Sequence, residues 1–303
     1  MPNLGTKKNK LTIGIDIGGT KIAAGLVTSR GQLSDLNIRR TPRSTRGIIN
    51  ALYKIIASYP AGLAVGVGVA GQVLPKEGLG TYSPNFPSDW KNVPLKKIIS
   101  LKHRVPVAIN NDAKCFAIAE NKYGAGKKFT NYVSLTWGTG IGGSIIINKK
   151  IFSGKHNTAG EFGHTILSYT KSNTAGKKAP RAEDGAAGKA MSKFYKKISG
   201  RTINNKEVIR LWRRGDNQAT RAVENMANNF GLVMVSVANT INPEAIIVGG
   251  GLSYVRGLLE IAKKTFKINV YAPQIGSIPI IRAKLGEYAN IVGAAYMVNN
   301  RDY

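Results

Sequence analysis

Short apolar runs separated by glycine-rich turns dominate the first third of the chain. Residues 12 to 17, 22 to 28, 64 to 70 and 105 to 109 are dense in Val, Ile, Ala and Gly, which predicts strands buried in a sheet. Between them, residues 44 to 59 carry Ile48, Ile49, Leu52, Ile55 and Ile56 at helical spacing behind a Ser44 or Thr45 cap. A second strand pair is predicted at 132 to 135 and 144 to 147. Helices follow near 184 to 198, 205 to 213, 217 to 240, 255 to 266 and 287 to 298, interrupted by strands at 245 to 248 and 278 to 282. Strands, then a crossover helix, then a second mixture of both imply an α/β fold with two lobes, joined near the helix that begins at Ala113. Residues 170 to 181, full of Lys, Gly, Ser, Thr and Ala, predict a mobile loop.

The turn after the first strand carries the richest chemistry. Asp16-Ile17-Gly18-Gly19-Thr20-Lys21 sets a carboxylate, two glycines, a hydroxyl and an ammonium at a strand end. Glycines let backbone turn and approach an anion, Thr20 and the amides can donate to phosphate, and Asp16 can hold a metal-bound water. Apolar residues resume at Ile22, so the turn joins two strands and is not a Walker-type loop. Gly138-Thr139-Gly140 reads as a counterpart, or as an ordinary glycine-rich hairpin. Gly249-Gly250-Gly251 follows an apolar strand and precedes a helix, where bare backbone could carry a flat ring. The segments starting at Gly66 and Gly138 both match G-x-G-x-x-G, but neither opens a helix, so a dinucleotide fingerprint is not expected.

Polar side chains at the carboxyl end of a strand in an open α/β sheet point to ligand. Asn111-Asp112 follow such a strand, so Asp112 can take a proton from a substrate hydroxyl while Asn111 holds a neighbouring one; helix capping by Asp112 is the alternative. Glu161 and His164 are spaced to converge on one polyol, or to form a structural pair. Asn85, in a loop bounded by Pro84 and Pro87, adds a third polar candidate, or marks a turn beside a packed Trp90.

Composition narrows the class. The chain has 303 residues, a net charge of +28 and one cysteine, Cys115. A single thiol excludes an intramolecular disulfide and a multi-thiolate zinc site and suits a reducing cytoplasm; Cys115 itself reads as a buried helix residue. Absence of a long apolar run argues against a membrane partner. The basic residues are spread along the chain, with clusters such as Arg39 to Arg46, and none sits in a DNA-reading motif, so no specific nucleic-acid partner is expected.

Taken together, these motifs resemble those of the ROK family (repressors, open reading frames and kinases) through residues 11 to 298, in the family's order. The resemblance implies a two-lobed actin-like, hexokinase-like (ribonuclease H-like) α/β fold with a central cleft. It implies a small lobe of residues 11–114 plus 287–303 and a large lobe of 115–286. It also implies an ATP- and Mg2+-dependent hexose kinase, a glucokinase acting at the C6 hydroxyl, cytoplasmic and homodimeric. Asp112 is then the base, with Asn85, Asn111, Glu161, His164 and, from the resemblance alone, Glu183 around the sugar. Gly18, Gly19, Thr20, Lys21, Gly138, Thr139, Gly140 and Gly249 to Gly251 hold ATP, and Asp16 holds Mg2+ through water. Zinc is not expected, since the family's downstream cysteines are missing here. About ten residues precede the first strand, too few for the helix-turn-helix of the family's repressors. Kinases for N-acetylmannosamine or fructose, a polyphosphate-dependent glucokinase and a sugar-responsive protein without catalysis are the other readings.

Overall fold

The structure, a computed structural model, describes residues 10–166 and 179–300. Most of the loop expected at 170 to 181 lies outside the described residues. The chain divides into two compact units. The first runs to Lys127 and also takes Lys150–Ala159 and the chain from Lys284 onward; the second is Lys128–Lys149 with Gly160–Ala283. The helix carrying Asp112 thus belongs whole to the first unit, beyond the boundary expected at residue 114.

In the first unit β1 (Thr12–Ile17), β2 (Lys21–Val27) and β3 (Leu33–Arg40) form an antiparallel meander. Helix α1 (Thr45–Ala57) leads to β4 (Val65–Val69), which lies parallel to β1. A small hairpin, β5 (Gln72–Leu74) and β6 (Leu79–Tyr82), and α2 (Leu95–His103) precede β7 (Val107–Asn111) and α3 (Asp112–Tyr123). Sheet order is β3-β2-β1-β4-β7. Ser44 caps α1 as read from sequence, its side chain accepting from the Gly47 amide. That helix buries Ile48, Leu52, Ile55 and Ile56. Elements of this unit that the pattern does not predict are β3, an exposed edge strand, the β5–β6 hairpin, and α2, which buries only Leu95 and Ile99.

The second unit repeats the plan. Strands β8 (Tyr132–Trp137) and β9 (Ile141–Ile147) form an antiparallel hairpin, followed after the short β10 (Lys150–Phe152, held by the first unit) by four helices. These are α4 (Ala182–Ala186), α5 (Gly188–Ser199), α6 (Asn205–Trp212) and the long α7 (Asn217–Ile241). The single helix expected at 184 to 198 is therefore two, broken at Ala187, whose ψ of 166° is extended. Strand β11 (Ile246–Gly249) lies parallel to β8, and after α8 (Leu258–Asn269) and α9 (Pro273–Gly276) β12 (Ile280–Arg282) joins parallel to β11. In each unit a hairpin with a glycine turn is thus followed by parallel strands.

The chain ends in α10 (Ala289–Val298), which packs in the first unit on glycines. A Cβ on Gly14 would lie 2.1 Å from the Ile291 carbonyl oxygen, one on Gly66 1.8 Å from that of Ala294, and one on Gly293 1.7 Å from that of Cys115. The first G-x-G-x-x-G match has a packing role: Gly66 admits α10 to close range, Gly71 has φ +103° and lies against Tyr82 and Ser83, and no helix starts after it. No helix among the described residues is long and apolar enough to cross a membrane.

Candidate active site

The first glycine turn closes the β1–β2 hairpin, with the Gly18 amide donating to the Lys21 carbonyl at 3.0 Å. Neither Gly18 nor Gly19 has a positive φ. Glycine is required at position 19 for another reason: a Cβ there would sit 2.7 Å from Cβ of Asn85. The turn and the Asn85 loop are therefore in contact, and the Asn85 amide is braced by donating to Ser83 Oγ at 3.2 Å. Thr41, absent from the sequence reading, straps the turn from β3, its hydroxyl donating to the Gly18 carbonyl at 2.6 Å and its amide to that of Thr20 at 3.0 Å.

Asp16 sits two residues before the turn, opposite Gly68 of β4. Its Oδ1 is buried with no hydrogen-bond partner, and Oδ2 accepts from Asn290 at 3.5 Å. Desolvation pushes its pKa from 3.8 up to about 6, against the Asn290 bond and the Lys21 charge. A carboxylate oxygen buried without a partner suits a hydrated cation, which would supply the missing donor. Among the described residues no three His, Cys, Asp or Glu cluster into a protein cage. Lys21 is not a free cation, since its ammonium pairs with Glu287. Burial weakens its charged form, but the Glu287 bond outweighs that and holds its pKa above the usual lysine range.

At the end of β7 the capping assignment shifts by one residue. Asn111, not Asp112, is the N-cap of α3, its Oδ1 accepting from the Lys114 amide at 3.2 Å. The Asn111 amide nitrogen donates to the Gly71 carbonyl at 2.9 Å, leaving one N–H for a ligand. Asp112 is relieved of the cap and is the first helical residue, its Oδ1 accepting from the Ala113 amide at 2.9 Å. Behind it, buried Asn157 donates to the Asn110 side chain and the Val73 carbonyl, each at 3.0 Å. Buried Lys114 donates to the Ala159 carbonyl at 2.9 Å.

The second unit gathers the other candidates. Gly138 closes its turn by donating to the Gly140 carbonyl at 3.0 Å. Where the first turn has Asp16 the second has Thr136, whose hydroxyl accepts from the Gly142 amide at 3.1 Å, so only the first carries a carboxylate. Glu161 precedes a single helical turn, Phe162–His164, that docks on β9 through glycine: a Cβ on Gly163 would lie 2.3 Å from the Ile141 carbonyl. His164 is then flanked by two carboxylates, Nε2 being 3.9 Å from Glu161 and Nδ1 3.7 Å from Glu183. Arg181, which sequence reasoning passed over, donates to His164 Nδ1 at 3.3 Å. Nδ1 must accept there, which puts the ring proton on Nε2, toward Glu161. A Cβ on Gly140 would lie 3.0 Å from Glu183 Oε2, so this cluster borders the second glycine turn.

Thr139 lies in the same turn, between Gly138 and Gly140. The third glycine group closes β11. Gly250 has φ +81°, and a Cβ on it would meet the Trp137 carbonyl oxygen at 2.5 Å. Gly251 opens a helical turn, Gly251–Tyr254, with nothing within 4 Å of an added Cβ, leaving its face open.

The family model described as the ROK family matches residues 12–301. A glucokinase of Streptomyces coelicolor is 32% identical over 314 residues, covering 96% of this chain and 98% of its own. An N-acetyl-D-glucosamine kinase of Histophilus somni is 29% identical, covering 95% and 99%. Among solved structures, a ROK family glucokinase from Streptomyces griseus in complex with glucose and AMPPNP superposes with a TM-score of 0.84 at 32% identity, covering 95% of this chain and 98% of that one.

Proposed function

From the premise that this chain belongs to the ROK family and is a sugar kinase, we propose that it transfers the γ-phosphoryl group of ATP to the C6 hydroxyl of a hexose, glucose foremost. The observation that carries this reading is the convergence of Glu161, His164 and Glu183 beside Gly140 of a glycine turn. The carboxylates accept from vicinal hydroxyls and the imidazole donates its Nε2 proton to one, and the turn next to them offers amides to phosphate. The 32% identity to a glucokinase over nearly the whole chain supports glucose as the acceptor.

In this mechanism Asp112 accepts the proton of the C6 hydroxyl as its oxygen bonds to the γ-phosphorus, and the bond to the ADP leaving oxygen breaks. Asn85, the remaining Asn111 N–H, Glu161, His164 and Glu183 fix the sugar. The amides of both glycine turns, with Thr20 and Thr139, hold the phosphates, and Gly249 to Gly251 take the adenosine. Asp16, with its unpartnered buried oxygen, would hold a hydrated Mg2+, and the ion would supply neutralisation of phosphate charge. Phosphoryl transfer asks mainly for positioning and charge stabilisation, which this set supplies.

A coupled ADP-release assay with ATP over a panel of glucose, mannose, fructose, N-acetylglucosamine and N-acetylmannosamine tests the reading. Highest kcat/KM on glucose is expected. The N-acetyl-D-glucosamine kinase at 29% identity supports an N-acetylhexosamine as the competing acceptor, and preference for one overturns the glucose assignment.

A further inference from the structure

Beside the first glycine turn the first unit contains a cavity of about 500 Å³ whose arginine wall the mechanism above does not use. Its walls are the turn (Gly19 and Thr20), the β3–α1 connection (Arg40, Thr41 and Arg43) and the loop of Asn85 and Phe86. These walls are fixed. Thr41 is bonded to the turn as described, and Phe86 packs edge-on against buried Trp90, with ring centroids 4.7 Å apart.

One side of the cavity is strongly basic. Residues 39 to 46 include Arg39, Arg40, Arg43 and Arg46 and no acidic residue. Among the described residues neither Arg40 nor Arg43 is in a salt bridge, and the Thr20 hydroxyl has no hydrogen bond to protein. The acid at the end of the Asn85 loop, Asp89, is engaged by the Thr45 hydroxyl at 2.8 Å. Two guanidinium forks and a hydroxyl around one space suit a phosphate dianion. The facing wall differs: the Asn85 amide can both donate to and accept from hydroxyls, and the Phe86 ring offers an apolar surface for the C–H face of a sugar.

We propose that this cavity is a phosphate subsite in which Arg40 and Arg43 hold the phosphate of a hexose 6-phosphate while Asn85 meets its sugar. The occupant is the product class of the proposed reaction, and the proposal rests on that reading in taking Asn85 as a sugar contact. Because hexose and hexose 6-phosphate would both use Asn85, the consequence is feedback: the sugar phosphate competes with the acceptor. The tail of a condensed phosphate presents the same anionic chemistry to the two arginines but has no use for the Asn85 and Phe86 wall.

Isothermal titration calorimetry on the full chain, at matched ionic strength, tests this with glucose 6-phosphate and tripolyphosphate, against wild type and the Arg40→Gln/Arg43→Gln double variant. Glucose 6-phosphate is expected to bind wild type and to lose about tenfold or more in affinity in the variant, as loss of charge-assisted bonds predicts. Its inhibition constant against the hexose should rise in parallel, with the KM for ATP unchanged. Loss confined to tripolyphosphate keeps the phosphate subsite and assigns it to a donor tail. Equal binding of both ligands by the two proteins, or binding of neither by wild type, overturns the proposal. Because calorimetry needs no turnover, failure of the kinase reading in the acceptor panel is seen separately.

Discussion

The ammonium of Lys21 lies 2.5 Å from Oε1 of Glu287 and 5.2 Å from the centroid of the Tyr288 ring. A lysine read as a phosphate ligand is thus neutralised by a residue 266 positions away. The side chains are 42% and 66% exposed, so the pair contributes at most about 1 kcal/mol to stability. Glu287→Gln should leave the melting temperature nearly unchanged and lower the KM for ATP a few-fold by releasing Lys21. Initial-rate kinetics decide it: a raised KM would mean that Lys21 works through Glu287.

Asp112 is freed from capping by Asn111 and stands at the start of α3. Asp112→Asn should reduce kcat by about 10²–10⁴-fold, the usual range for general-base help, with hexose binding retained in calorimetry. Turnover within about threefold of wild type would remove Asp112 from the chemistry.

The buried carboxyl of Asp16 predicts a pH dependence of stability. Its pKa is raised from 3.8 to about 6 by burial. As pH rises the unfolded carboxyl loses its proton first, so across pH 4 to 6 the folded state binds more protons and stability falls, then levels above about pH 6. The loss amounts to about 3 kcal/mol. Urea titrations of the nucleotide-free protein across this window should follow that slope, and Asp16→Asn should flatten it and raise stability at pH 7. The same variant should lose turnover, since the buried oxygen proposed to hold the hydrated cation is gone.

Arg181 fixes the His164 tautomer, so the imidazole offers its proton on one side only. His164→Gln and Glu183→Gln should each raise the hexose KM about tenfold, the scale of a lost hydrogen bond to a charged or polar group. The KM for ATP should stay within about twofold for His164→Gln. A larger effect on ATP than on hexose would assign the cluster to the donor instead.

Gly66 meets α10 where no side chain fits, a Cβ being 1.8 Å from a backbone carbonyl. Gly66→Ala should cost about 3 kcal/mol or more, above the usual overpacking range because backbone has to move. A melt within a degree or two of wild type would contradict this packing.

Much of this architecture could be read from the chain alone because buried strands and amphipathic helices carry their own periodicity. The β1–β2 and β8–β9 hairpins, α1 with its Ser44 cap, and α7 follow that rule. Strand β3 escaped because Leu33–Arg40 is an edge strand in which apolar Leu36 and Ile38 are exposed while polar Asn37 is half-buried, so no buried apolar alternation marks it. The break at Ala187 escaped because Gly185 and Gly188 on either side of it read as part of one helix and no proline enforces it.

At the site, local motifs delivered the glycine turns and Glu161 with His164, whereas partners from distant segments left no trace. Asn290 beside Asp16, Glu287 on Lys21 and Arg181 on His164 are facts of tertiary packing. Glu183 came only through resemblance; the structure sets its carboxylate 3.7 Å from His164 Nδ1.

The last helix occupies the middle of the first unit, seated on Gly14 and Gly66 and against α3. During synthesis the opening half of the chain therefore leaves the ribosome lacking a piece of its own interior, which arrives only once α10 has been made. The second unit is complete in sequence before the first can close. A nascent or truncated chain ending before Ala289 exposes an apolar, glycine-lined trough, and its natural fate is capture by chaperones or degradation.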